Sequence, residues 1–154
     1  EPLFDAITNA QAALQRGALR EAEALLSDAL DWDATCIEAR LLRGRCHRDL
    51  GDRVAAMSDF LKAQDSAPHS PLPHVELGNL FFARKDYMRA IQHYGDALER
   101  DPGHAMALCR RGICHHYRKR PDNAMDDLLS AARIDPEIAN IDRYIRMVSG
   151  PSRR

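Results

Sequence analysis

A spacing of 34 residues recurs through this chain and restricts what it can fold into. Gly44, Gly78 and Gly112 stand 34 apart, as do Ala22, Ala56, Ala90 and Ala124, and again Ala29, Ala63, Ala97 and Ala131. Pro68, Pro102 and Pro136 close the second, third and fourth copies. A fixed period of this kind marks a solenoid, in which each copy buries its apolar face only against its neighbours. The expected fold is all-α, an α-solenoid of antiparallel helix pairs. Its function is expected on a surface and not in a catalytic cleft.

The 154 residues suffice for one domain with a modest core. A net charge of −1 supplies no overall basic field for nucleic acid or anionic lipid. Apolar stretches run only a few residues, too short to insert in a membrane. The chain begins at Glu1 and not Met, as expected of an excised or processed segment whose targeting sequence lies elsewhere. The four cysteines, Cys36, Cys46, Cys109 and Cys114, fall inside helical patterns, where a disulfide framework would place them in loops. On one helix Cys109 and Cys114 point about 140° apart and cannot pair. A reducing, cytoplasmic setting is expected.

The third copy shows how one unit folds. Leu72 to Ala83 reads as a first helix, A, and Asp86 to Arg100 as a second, B, with Arg84-Lys85 as the turn. Gly78 lies mid-way along helix A, where a side chain would push helix B away, and Ala90 and Ala97 lie two turns apart on B. Gly17 and Gly51 take the turn place in the first two copies, and glycine suits the left-handed residue that stops a helix. Asp101-Pro102 and Asp135-Pro136 combine a capping side chain with a proline harmless in a first helical turn, and Ser70-Pro71 does the same. Proline in mid-helix costs about 3 kcal/mol, so its confinement to the junctions supports this division.

These residues resemble the tetratricopeptide repeat, which implies that the α-solenoid is right-handed. The third copy matches best, through Leu77, Gly78, Phe81, Tyr87, Ala90, Tyr94, Ala97 and Pro102. The second keeps Gly44, Gly51, Ala56, Phe60, Ala63 and Pro68. The fourth keeps Gly112, Ala124, Ala131 and Pro136, with Leu128 in the aromatic place and Pro121 where Tyr is usual. The first is the most diverged, with Ala10 for glycine and Ala34 for proline. The repeats run over about 3–36, 37–70, 71–104 and 105–138 of a single domain, 1–150. A capping helix is expected over about 136–149, with the stripe Ile138, Ile141, Ile145 and Val148, and then a flexible tail over 150–154.

Little here points to chemistry. Cys46-His47 and Cys114-His115-His116 occupy equivalent places in the second and fourth repeats. With a whole repeat between them they lie roughly 20 Å apart, whereas zinc ligands sit about 2 Å from one ion. Packing is the expected role, the alternative being a local site from His115, His116 and a neighbour. His69, His74, His93 and His104 show no HExxH pattern and no pairing with cysteine, and no glycine-rich phosphate loop is present. Asp122 and Asp126-Asp127 read as a solvated face with local charge pairing. The chain is expected to be no enzyme, with no cofactor and no metal.

The resemblance implies a concave groove lined by A helices and holding a partner peptide or helix. Its places hold Ile7 and Gln11 in the first repeat, and Leu41, Leu42, Arg45 and Arg48 in the second. The third supplies Val75, Glu76, Asn79 and Phe82, and the fourth Cys109, Arg110, Ile113, His116 and Tyr117. Apolar patches crossed by arginines suit a segment with apolar anchors and acidic residues. The carboxylate clamp of chaperone-binding relatives is not matched. Its places hold Ile7, Gln11, Leu42, Leu72 and Glu76, or, one repeat on, Leu41, Arg45, Glu76, Met106 and Arg110, of which only Arg110 fits. The expected function is an adaptor within a larger assembly. The alternatives are a co-chaperone-type module binding apolar client segments, or a scaffold that self-associates through its first repeat into a homo-oligomer.

Overall fold

The structure, a computed structural model, describes residues 1–150, and all of the expected tail, 150–154, except Gly150 lies outside the described residues. Among the described residues there are nine helices and no strand. Contacts divide the chain into two compact units, Glu1–His69 and the part from Ser70 onward, at the boundary between the second and third repeats. In the first unit, of α1 (Pro2–Gln15), α2 (Leu19–Trp32), α3 (Ile37–Asp49) and α4 (Arg53–Ser66), α2 packs on α1, α3 on α2 and α4 on α3. In the second unit, of α5 (Leu72–Ala83), α6 (Tyr87–Arg100), α7 (Ala105–Tyr117) and α8 (Pro121–Ile134), α6 packs on α5, α7 on α6 and α8 on α7, and α9 (Ile141–Ser149) packs on α8 and α7.

Small residues set how closely each pair meets. A Cβ on Gly44 would lie 2.5 Å from Phe60, one on Gly78 2.6 Å from Tyr94, and one on Gly112 2.9 Å from Leu128. Leu26, Phe60, Tyr94 and Leu128, again 34 apart, are among the largest fully buried side chains; the last three sit against the glycine of their own A helix, and Leu26 shares a core cluster with Ala10. Full burial of one such side chain stabilises by about 1.5–3 kcal/mol. In the first unit Ala6, Ala10, Ala13, Ala22, Leu26, Ala29, Leu30, Ala39 and Cys46 form one cluster.

The turn between A and B is left-handed in every repeat, with φ of 74° at Gly17, 88° at Gly51, 61° at Lys85 and 58° at Lys119. Asp52 and Asp86 then open α4 and α6 by accepting from the backbone N–H of Ala55 and Arg89.

Two junctions differ from the sequence expectation. Asp101 and Asp135 do not open the next A helix. They close α6 and α8, and their carboxylates accept from the N–H of Gly103 and Glu137 in Asx turns. The cap of α7 is His104, whose Nδ1 accepts from Ala107 N–H at 3.2 Å. The final helix starts at Ile141, not near 136, because Asn140 takes a left-handed conformation, φ 63°. Ile138 is buried in the preceding turn and does not lie on the helical stripe.

Candidate partner-binding site

In the first unit, Gln11 of α1 donates to Glu38 of α3 at 3.0 Å, tying two A helices on one face. Ile7 and Leu42 are partly buried and pack against the core cluster, and Leu41 is buried outright. Arg45 and Arg48 are half-buried, and Arg48 donates to Asp49 at 2.9 Å. The apolar members of this set are packing residues first, and the polar edge is what remains on the surface.

In the second unit Val75, Glu76, Cys109 and Ile113 are buried, whereas Asn79, Phe82, Arg110 and His116 are half-buried. Arg110 Nη1 donates to Asn79 Oδ1 at 3.0 Å, and the same oxygen accepts from the Tyr94 hydroxyl at 2.8 Å. The Arg110 guanidinium also lies 5.8 Å from the centre of the Phe82 ring. Phe82 meets Tyr87 edge-on at 6.1 Å, Tyr87 stacks on Tyr117 at 4.8 Å, and Tyr117 meets His116 at 5.6 Å. Tyr117 remains 54% exposed, so this aromatic run reaches the surface.

A hollow of about 270 Å³ opens beside this network, walled by Phe82, Met106, Cys109, Arg110 and Ile113. Its far wall is Ile138, Ala139, Asn140 and Tyr144. The closing segment therefore does more than solvate the end of the array. The sequence signal for this was faint: an asparagine suited to a left-handed turn, followed by a short amphipathic helix.

The chemistry-bearing residues are tied up in packing. Arg43 makes two bonds to Asp59, at 2.9 and 2.7 Å, and Arg111 makes two to Asp127, at 2.7 and 2.8 Å. His47 and His115 each lie beside the same carboxylate, at 3.7 and 3.8 Å. The two sets are equivalent, each spanning helices A and B of one repeat. Asp127 is thus a buried pairing partner and not part of a solvated face, while Asp122 and Asp126 are exposed. Burial raises the thiol pKa of Cys46 and Cys109 and pushes that of Cys114 up to about 12, which leaves them poor nucleophiles. Of the scattered histidines, His74 and His93 come together with Asp96. No helix among the described residues is long and apolar enough to cross a membrane.

The family model described as Tetratricopeptide repeat matches residues 7–71 and 75–137. Among curated proteins, DnaJ homolog subfamily C member 7 of Homo sapiens is 27% identical over 158 residues, covering 91% of this chain and 30% of its own length. The chain thus spans under a third of that relative. Among solved structures, Pseudomonas aeruginosa pilF aligns with a TM-score of 0.87 at 19% identity, over 96% of this chain and 68% of its own. MamA from Desulfovibrio magneticus RS-1 aligns with a TM-score of 0.81 at 19% identity, over 97% and 84%. At such identities these structures establish the α-solenoid fold alone.

Proposed function

Because the chain belongs to the tetratricopeptide repeat family, a protein-interaction fold, we propose that it is an adaptor whose A-helix face holds a segment of one partner protein. The observation that carries this reading is the hollow between α5, α7 and the closing segment, apolar on most sides with Arg110 in its wall. An apolar side chain of the partner fills the hollow, and a carboxylate next to it meets the guanidinium. Arg110 has five N–H donors, and its bond to Asn79 uses one. Asn79 and Phe82 hold the group in place before the partner arrives, which lowers the ordering cost of binding. Arg45 and Arg48 provide acidic-residue contacts on the first unit's face. The proposed setting is the cytoplasm, where the four free thiols stay reduced.

The test is capture of partners from native lysate with the wild-type chain and with an Arg45→Glu/Arg110→Glu variant, both sets identified by mass spectrometry. A few proteins held by the wild type and lost by a variant of unchanged melting temperature fit this reading. Loss of a central arginine anchor is worth about 2 kcal/mol, roughly 30-fold in affinity. Identical sets would move the site off this face.

A second reading, a co-chaperone-type module for apolar client segments, draws support from the DnaJ relative. It predicts broad, weak binding of unfolded chains, insensitive to the two arginines.

A further inference from the structure

We propose that His74, His93 and Asp96 form a three-ligand site for a divalent transition-metal ion, zinc in the first instance. His74 comes from α5, and His93 and Asp96 lie three apart on one face of α6. One ligand atom of each lies within 4.8 Å of the other two. Tetrahedral zinc with bonds of about 2.0–2.1 Å places ligand atoms roughly 3.3–3.5 Å apart, within reach of a side-chain rotation. Asp96 can make that rotation, its side chain being 42% exposed. Two imidazoles and a carboxylate leave the fourth position to water or an incoming group, a familiar arrangement for zinc.

The state of the imidazoles favours an ion over simple packing. His74 is buried, and among the described residues neither of its ring nitrogens has a hydrogen-bond partner, nor has Nδ1 of His93. Buried polar atoms without partners are rare in folded proteins, and an ion would take up one nitrogen of each ring. His93 is already oriented, stacked on Phe81 at 5.3 Å and 3°. Charges facing the site are mixed: Arg100, which donates to the Asp96 carbonyl at 2.7 Å, and Glu99.

Comparison between repeats strengthens the assignment. The equivalent places in the second repeat hold Arg40, Asp59 and Lys62. There Arg40 lies 3.8 Å from Asp59, which Arg43 also grips. In the third repeat cation, anion and cation have become His74, His93 and Asp96. The ion pair is gone, and every replacement is a metal-ligand type. None of the three ligands lines the hollow proposed to hold the partner.

The test is titration of the untagged, chelator-stripped chain with zinc against a chromophoric chelator. One zinc per chain is expected, and His93→Gln and Asp96→Asn should each weaken binding by more than the about 10–100-fold typical of losing an outer-shell partner. Cobalt in place of zinc should give visible d–d bands without a thiolate charge-transfer band, and Cys36→Ser should change neither result. Matching circular dichroism of the metal-free variants excludes unfolding as the cause, and because Asp96 is half-buried and the change near-isosteric, Asp96→Asn is the safer of the two. The proposal is overturned by a Kd weaker than about 100 µM, by binding that survives both variants, or by binding lost with Cys36→Ser.

Discussion

At Lys119 a single side chain opposes its own backbone. Its φ of 58° is the left-handed conformation that Gly17 and Gly51 adopt without hindrance. An L-residue pays roughly 1–2 kcal/mol for that conformation relative to glycine. No atom lies within 4 Å of where a Cβ would sit on Gly51, so in this turn only the backbone angle matters. Lys119→Gly should therefore stabilise the second unit by about 1 kcal/mol, read as a higher midpoint in urea; an unmoved midpoint contradicts the account. Gly78 is the opposite case, where space and not angle decides. Its missing Cβ lets Tyr94 come close enough to reach Asn79, so Gly78→Leu should cost about 1–3 kcal/mol or more by overpacking. A melting temperature equal to the wild type would mean that the helices can move apart freely. The small places were readable from the 34-residue spacing. The left-handed lysines were readable only by alignment with Gly17 and Gly51, since lysine has no preference of its own for that angle.

Between helices, the second and fourth repeats are pinned by a buried carboxylate gripped by arginine, with a histidine alongside. The sequence displayed Cys46-His47 and Cys114-His115 as a repeated pair, but their partners Asp59 and Asp127 lie on the opposing helix, 12 residues further along the chain. No local motif marks such a meeting. The same limit hid His74 and His93, 19 residues apart on antiparallel helices. Helix spans were readable where glycine, proline and alanine punctuate them, as in α5, whose limits match the expectation. The start of α9 was not, because an asparagine turn replaces the expected proline-led first turn. His115 carries a consequence for pH. Burial lowers its pKa below the ordinary 6.5, and the pull of Asp127 only partly offsets this. The unfolded chain therefore takes up this proton more readily than the folded one. The resulting stability is intact above 6.5 and is lost as pH falls through 6.5 towards the folded value. His115→Phe, which installs the ring type of Phe81 in the third repeat, should flatten the fall in melting temperature between about pH 7 and pH 5. Parallel wild-type and variant curves would exclude His115 as a source of that dependence.

Across the whole molecule the solenoid class was legible before any helix could be placed, because a period seen four times constrains every copy at once. The proposed partner-binding face was less legible. A periodic place says which side of a helix a residue occupies, but not whether its neighbours have already claimed it, as they have Leu41 and Ile113. Burial also sorts the cysteines: Cys46, Cys109 and Cys114 are buried and Cys36 is half-buried. A thiol reagent should modify Cys36 of the native protein promptly and the other three only under denaturant; prompt reaction of all four would show the core opening on that timescale. One further consequence follows from where the aromatic residues fall. The sole tryptophan, Trp32, closes α2 in the first unit and is 58% exposed, whereas Tyr87, Tyr94, Tyr117 and Tyr144 all belong to the second. The chain thus carries two intrinsic optical labels. Emission excited at the red edge, where only indole absorbs, follows one half of the protein, and near-ultraviolet phenol dichroism follows the other in the same cuvette.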